Sequence, residues 1–158
     1  MNIFVIDPED FQANVVMLDD RRLVKMVLET AQLLSTAIVA VGGTATYKPT
    51  HFNHPDSIWT RANQANYKWL LTYFVAISDE YTYRYERQHK CVLLLPEFEQ
   101  NIDIFPQADV ITEHPNCTPF KDLPVYEAYR KTMIDKWKAD KWPPKWTKRN
   151  PPTWYSNA

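Results

Sequence analysis

An all-α fold is predicted for this chain of 158 residues, as one compact helical domain with long irregular loops. Three segments predict helices: residues 20–41, 58–90 and 125–141. Each is long and either contains few helix breakers or has apolar residues spaced at the helical period. Hydrophobic residues make up 45% of the chain, enough to bury a core without metal or disulfide support. We therefore predict a single domain over residues 1–158, with a proline- and aromatic-rich tail from about 142.

The first elements are short. Residues 2–6 form an apolar run that suits a strand or an extended lead-in. Asp7 followed by Pro8 indicates a helix start, with Asp7 as the N-cap and Pro8 in the first turn. We expect this helix to end near Met17.

The second helix is predicted to be central. It starts at Asp19 or Asp20 and runs to about Val41, where Gly42 and Gly43 end it. Apolar residues cover most of its circumference, which is typical of a buried helix. The remaining narrow arc is polar and consists of Arg22, Lys25, Glu29 and Gln32. A polar face on a buried helix is either paired internally or directed at a cleft.

The rest of the chain alternates loops and helices. We expect a loop over residues 44–55 and a helix capped by Asp56 or Ser57 that continues toward Lys90, with a break near Ser78. Proline-bearing residues 96–124 lack periodicity and predict an irregular wall or lid. A last helix is predicted from Val125 to about residue 141.

The overall net charge of −1 argues against a strongly basic, non-specific nucleic-acid binder. Residues 121–150 nevertheless contain nine cations and four acids, with five aromatic residues among them, a composition suited to phosphate contact and base stacking. A solvated helix face anchored by its aromatics explains the same composition. The first residues lack a signal-peptide pattern, and no stretch approaches the roughly 18 apolar residues of a membrane span, so we expect a cytoplasmic monomer.

Arg22, Lys25 and Glu29 suggest chemistry. The cations can hold a phosphate-bearing substrate while the carboxylate stabilises developing charge. The alternative is an ordinary ion pair between Lys25 and Glu29 on a wet helix face, worth about 0.3–0.5 kcal/mol.

Two His/Cys pairs have the spacing of zinc ligands: His51 with His54, and His114 with Cys117. Both pairs lie in Pro/Asn loops without the usual glycine, where histidine is commonly exposed. We therefore predict no bound metal and no cofactor. Cys91 precedes a run of apolar residues and is predicted to be a core residue.

Three patterns in order carry a family resemblance: Asp20-Arg21-Arg22-Leu23 followed by Glu29, Pro49-Thr50 ahead of a histidine, and Pro-Thr-Trp-Tyr at residues 152–155. Together they resemble the bacteriophage pyrimidine-dimer DNA glycosylases of the endonuclease V type. The helix sequence Lys-Met-x-Leu-Glu-Thr-Ala-Gln at residues 25–32 also resembles small phage proteins of the same group.

The resemblance implies a compact helical enzyme that attacks the sugar of a damaged pyrimidine with its own α-amino group. By this correspondence Glu29 is the catalytic glutamate, Asp20 is a structural helix-start residue, and Trp154 with Tyr155 is the aromatic pair of the tail. The amine is assigned to Met1, with Lys25 as the other candidate. An α-amino group has a reference pKa of about 7.7–8.0, against about 10.4 for lysine, so a useful fraction is nucleophilic at pH 7.

The chain differs from the family where it starts with Met1-Asn2 instead of a small residue and arginine. Leu28 and Gln32 stand where the family has arginines. We predict a DNA glycosylase/AP lyase that acts on damaged or modified pyrimidines. Its expected binding partner is DNA or a pyrimidine nucleotide. The candidate substrate-binding residues are Arg21, Arg22, Gln32, Lys48, His51, His54, Trp154 and Tyr155.

Two other functions fit the same residues. A phage pyrimidine-modifying transferase would use the scaffold for a different reaction. A non-enzymatic module would use the basic C-terminal third to bind single strands or a protein partner.

Overall fold

The computed structural model describes residues 2–156 and 158. Within these residues the chain is built from α-helices and two short 3-10 helices, without strands, which confirms the predicted all-α class. The α-helices are α1 Phe11–Val16, α2 Asp20–Ala40, α3 Pro55–Ala62, α4 Gln64–Tyr85, α5 Leu95–Gln100, α6 Val125–Ala139 and α7 Thr153–Ser156. The 3-10 helices are Lys90–Leu94 and Ile102–Ile104.

The N-terminal segment is extended and buried, and it leads into α1. Asp10 caps this helix, because its carboxylate accepts the Ala13 N–H at 3.0 Å. The predicted cap, Asp7, is wrong: its Oδ1 accepts the N–H groups of Glu9 and Asp10 and forms a turn one step earlier. The helix therefore starts three residues later than the Pro8 signal indicated.

Helix α2 is the core of the fold and has the predicted bounds to within one residue. It packs against α3 and α4, and Leu23, Met26 and Leu34 are fully buried in it. By length and mean hydropathy, 1.5 over its best 18-residue window, it could cross a membrane, contrary to our expectation from sequence. Because 61% of that window is buried inside the fold, these apolar residues serve as protein core here.

The predicted helix over residues 58–90 is two helices. Asn63 separates α3 from α4 in an extended conformation (φ −161°, ψ 169°), and its side chain accepts the Asn66 N–H at 2.9 Å. The predicted break near Ser78 is wrong, because that residue is buried inside α4. Helix α4 ends at Tyr85, where Glu86 adopts the left-handed conformation with φ 55°.

The C-terminal part follows the prediction only in part: residues 96–124 were predicted to be irregular throughout, and the short helix α7 in the tail was not predicted. Helices α5 and Ile102–Ile104 occupy the start of the predicted irregular segment, and residues 105–124 are irregular. Helix α6 begins at the predicted residue. The hydrophobic core includes residues from the N-terminal segment through Trp146, and Cys91 is buried in it as predicted.

Candidate active site

Arg22 is committed to internal carboxylates. Its guanidinium donates two hydrogen bonds to Asp140, at 2.8 and 3.1 Å, and contacts Asp19 at 3.2 Å. The hydrogen bond from Arg22 lowers the pKa of Asp140, so the pair stays charged at neutral pH. Trp137 donates a further hydrogen bond to Asp19 at 2.8 Å. These contacts join the start of α2 to the end of α6 and shape the cleft between them.

A cationic cavity of about 160 Å³ lies in that cleft. Its walls are formed by Phe4, Arg21, Arg22, Lys25 and Lys136. The Arg21 and Lys25 side chains are 67% and 66% exposed, so their charges reach solvent. The volume is below the ~300–1,000 Å³ of pockets for drug-sized ligands. Its size and charge suit a phosphate group on a larger substrate.

Glu29 lies one helical turn beyond Lys25. Its Oε1 is 3.3 Å from the Lys25 Nζ, the contact expected of an i, i+4 ion pair. The Glu29 side chain is only 15% exposed, however, while its partner is exposed, so the pair is not a simple wet surface pair. Gln32 follows one turn further and is half-buried. The carboxylate thus lies partly desolvated beside a cationic opening.

The loop before α3 brings a histidine to Glu29. Thr36 on α2 fixes the loop through two hydrogen bonds with the Thr50 backbone, at 3.0 and 3.2 Å. Burial lowers the pKa of His54, and the nearby Glu29 carboxylate opposes that effect. Lys48 and His51 stay exposed on the loop surface. Of these three predicted site residues, His54 is the half-buried one, and its pKa responds to the Glu29 carboxylate.

His54 also begins a second cluster. Its Nδ1 accepts the Asp56 N–H at 3.1 Å, so His54 caps α3 in place of the predicted Asp56 or Ser57. Asp56 is buried, and its Oδ2 accepts the Ile3 N–H at 2.9 Å. Burial raises the pKa of Asp56 to about 7, although the Ile3 hydrogen bond lowers it. Burial and Asp56 also raise the pKa of the Cys117 thiol to about 11, which keeps it neutral at pH 7.

The two zinc-spaced pairs of the sequence do not assemble. His114 stacks on Trp59 and meets Trp69 edge-on, with ring centroids 4.2 and 4.3 Å away, and is 2% exposed. Burial lowers its pKa to about 4. One member of each pair instead meets Asp56: ligand atoms of His54, Asp56 and Cys117 lie within 4.8 Å of one another. Asp56 was predicted only as a helix cap, although its position two residues after His54 and five after His51 in the sequence could have indicated the cluster.

The tail aromatics lie near the start of α2, about two and a half turns before Glu29. Trp154 and Tyr155 pack on Trp137, with ring centroids 5.5 and 4.8 Å away, and Trp137 contacts Asp19. At a rise of ~1.5 Å per residue, that end of α2 is roughly 15 Å from Glu29. The structure therefore places the aromatic pair, in α7, beside the start of α2 without bringing it to Glu29. Met1 lies outside the described residues, so its assignment stays a prediction.

The basic C-terminal third is largely anchored. Arg149 donates two hydrogen bonds to the buried Glu80, both at 3.0 Å, and Lys148 pairs with Glu86. Trp137 and Trp146 are buried, while Trp142 is 67% exposed. Most of these aromatics therefore hold a helix face to the core. They do not form a continuous surface on which nucleic-acid bases could stack.

One family model matches the chain, over residues 1–93, and its description is pyrimidine dimer DNA glycosylase. The matched part includes Glu29, the α2 side of the cationic cavity and His54, and it ends in the 3-10 helix Lys90–Leu94. No curated protein and no solved structure matches the chain.

Proposed function

The chain belongs to the pyrimidine dimer DNA glycosylase family, and from this we propose that it is a DNA glycosylase and AP lyase for damaged or modified pyrimidines, with Glu29 as the catalytic carboxylate. The observation that supports the role of Glu29 is its setting. The carboxylate is 15% exposed, one turn from a cavity with four cations in its walls, and its ion-pair partner Lys25 is exposed enough to move aside.

The proposed reaction starts when an amine nitrogen forms a bond to C1′ of the target nucleotide. The C1′–N glycosidic bond breaks, its electron pair leaves with the pyrimidine, and the base takes up a proton. The amine nitrogen then loses a proton, the C1′–O4′ bond breaks with its electron pair going to O4′, which takes up a proton, and a protonated imine forms between the nitrogen and C1′. Loss of a C2′ proton then expels the 3′ phosphate and cleaves the strand. Glu29 stabilises the positive charge that develops at C1′, where a desolvated carboxylate acts most strongly.

Two amines are candidates for the nucleophile. The α-amino group of Met1 is the first, because such groups have a reference pKa of about 7.7–8.0. Ile3, two residues on, donates its N–H to Asp56, which lies beside His54. The start of the described chain therefore lies next to the first turn of α3. Lys25 is the second, since its Nζ lies 3.3 Å from Glu29.

The cationic cavity is the proposed phosphate contact, with Arg21, Lys25 and Lys136 reaching the strand. Trp154 and Tyr155 then meet the DNA about four nucleotides away, since roughly 15 Å spans that many steps at ~3.4 Å each. Lys48 and His51, exposed on the loop before α3, extend this contact on the other side of Glu29.

Borohydride trapping tests the proposal. The full chain is incubated with UV-irradiated and with abasic duplexes, alongside Glu29→Gln and the control Glu99→Gln, whose side chain is exposed. We expect covalent complexes for the wild type and the control, and a rate at least ~100-fold lower for Glu29→Gln. Absence of trapped product on both duplexes would overturn the proposal. Protease digestion and mass spectrometry of the trapped complex then assign the nucleophile to the N-terminal peptide or to the peptide with Lys25.

The transferase is the second candidate, and Leu28 favours it. Leu28 is 39% exposed next to Glu29, where the family has an arginine for DNA. This function predicts new nucleosides, detected by mass spectrometry of treated DNA, without strand cleavage. A pure binding module instead predicts salt-sensitive DNA binding that Glu29→Gln leaves intact, with no product from any substrate.

A further inference from the structure

Three side chains with metal-ligating atoms meet at the start of α3. His54 and Asp56 come from the α2–α3 loop and the first turn of α3, and Cys117 comes from the irregular segment before α6. One ligand atom of each lies within 4.8 Å of the other two. The cluster thus combines a nitrogen, an oxygen and a sulfur donor from two segments that only the tertiary fold brings together.

Asp56 has an unsatisfied oxygen in this cluster. Its side chain is 1% exposed, and Oδ2 accepts the Ile3 N–H. The Cys117 thiol is the nearby hydrogen-bond donor that lowers the pKa of Asp56, and Oδ1 has no further partner among residues 2–156 and 158. A buried acceptor without a donor costs about 1–3 kcal/mol, so its presence calls for a cationic or proton-donating partner.

The other two ligands are held in place. The Cys117 N–H donates to the Tyr129 hydroxyl at 3.4 Å, and that hydroxyl donates to the Pro115 carbonyl at 3.2 Å, so the buried Tyr129 fixes the loop on both sides of the cysteine. His54 Nδ1 accepts the Asp56 N–H, which fixes the ring and occupies the lone pair of that nitrogen, so Nε2 is the nitrogen left for a metal once it loses its proton. Such supporting contacts orient the ligands of protein metal sites.

We propose that His54, Asp56 and Cys117 bind a divalent transition-metal ion, with Zn²⁺ as the ion that this donor set favours. Tetrahedral ligands ~2.0–2.3 Å from zinc are about 3.3–3.8 Å apart, so the cluster closes by small side-chain rotations. The carboxylate and the thiolate together carry two negative charges, which balance the charge of a divalent ion. The occupied site is therefore neutral, and the positive N-terminal end of α3 does not repel it. Three protein ligands leave one position of the ion for water or substrate.

Cobalt substitution tests the site without reference to any activity. The full chain, treated with a chelator and then titrated with Co²⁺, is expected to bind one ion and show a thiolate-to-cobalt charge-transfer band. Zn²⁺ should displace the cobalt and abolish the band. We expect Cys117→Ser to lose the band and to bind Zn²⁺ at least about tenfold more weakly. Cys91→Ser is the matched control, because Cys91 is buried against Tyr47 away from the cluster, and it keeps the band.

Absence of the band in the wild type, or its persistence in Cys117→Ser, overturns the proposal. If circular dichroism shows that Cys117→Ser does not fold, Asp56→Asn decides, since the amide oxygen still accepts the Ile3 N–H. Zinc affinity at least about tenfold lower in Asp56→Asn supports the site. Unchanged affinity contradicts it.

Discussion

Two charged residues on the same face of α2 have opposite surroundings. Arg22 is saturated by the carboxylates of Asp19 and Asp140, whereas Glu29 contacts the exposed Lys25. The first residue therefore holds the ends of two helices together, and the second has the freedom that a reacting group needs. Their position on one polar face of the helix could not predict these different roles from sequence. The difference arises because Arg22 pairs with Asp140, a residue 118 positions away in the sequence.

Arg22→Lys is expected to destabilise the fold by about 1–3 kcal/mol, because an ammonium group cannot make the two parallel hydrogen bonds to Asp140. Urea unfolding followed by circular dichroism measures the loss. Arg21→Lys is the neighbouring control: that side chain is 67% exposed and its stability should change by less than ~0.5 kcal/mol. Equal unfolding midpoints for the two variants would contradict a structural role for Arg22.

His114 should make the fold sensitive to acid. Burial lowers its pKa from 6.5 to about 4, so the folded state favours the neutral ring. The resulting stabilisation is complete above pH 6.5 and is lost as the pH falls to about 4, a change of about 3 kcal/mol at most. His114→Phe keeps the stacking on Trp59 and Trp69 and removes the titrating group.

Unfolding free energies of wild type and His114→Phe, measured from pH 7 to pH 4, check this prediction. The difference between them should shift in favour of the variant as the pH falls. Parallel profiles over that range would show that His114 does not titrate differently in the folded and unfolded states.

The residues that meet at the start of α3 show the limit of sequence reasoning at this scale. Helical periodicity placed Lys25 and Glu29 on one face, because that relation depends on local spacing alone. Asp56 and Cys117 come together only through packing of the irregular segment against α3. Each zinc-spaced pair in the sequence consequently contained one member of this cluster, and neither contained the carboxylate.

At the scale of elements, α2 and α6 were predictable and the division between α3 and α4 was not. Helix α2 has a charged start, an unbroken apolar face and two glycines at its end, all of which are local signals. Apolar residues keep helical spacing on both sides of Asn63, so periodicity continues through the break. The break depends on one side chain that caps the next helix instead of extending the last one.

Asn63→Ala is therefore expected to cost about 1 kcal/mol of stability, because the Asn66 N–H loses its side-chain acceptor. Chemical unfolding measures the effect. Asn53→Ala, in the exposed loop before α3, controls for loss of an asparagine as such and should change stability by less than ~0.5 kcal/mol. A cost no larger than that of the control would mean that α4 starts without need of this cap.

At the scale of the whole molecule, one buried charge network closes the chain on itself. Arg84 donates to Glu80 at 2.9 Å and to Asp20 at 3.1 Å, and Arg149 of the tail donates to Glu80. Thr147 donates its N–H to Asp20 at 2.9 Å. The network joins α2, α4 and the tail, and local spacing could not predict it, because no spacing rule relates residues from three separate segments. Only a structural role for Asp20 was expected, from the family resemblance.

Glu80→Gln should release the tail. Burial alone would raise the pKa of Glu80, but the hydrogen bonds from Arg149 and Arg84 outweigh it and lower the pKa, so Glu80 is charged in the folded state. An amide in its place leaves the buried Arg84 under-compensated, at an expected cost of about 3–5 kcal/mol. Hydrogen exchange at the Thr147 amide should accelerate as the tail separates from α2.

Glu86→Gln is the matched control for this change, because Glu86 also pairs with the tail, through Lys148, but its side chain is 80% exposed. Exposed pairs contribute about 0–1 kcal/mol, so the control should keep both its stability and the slow exchange at Thr147. If the two variants lose stability equally, the tail is held by the aromatic packing on Trp137 and not by the charges around Glu80. The comparison thus separates the two forces that can close this fold.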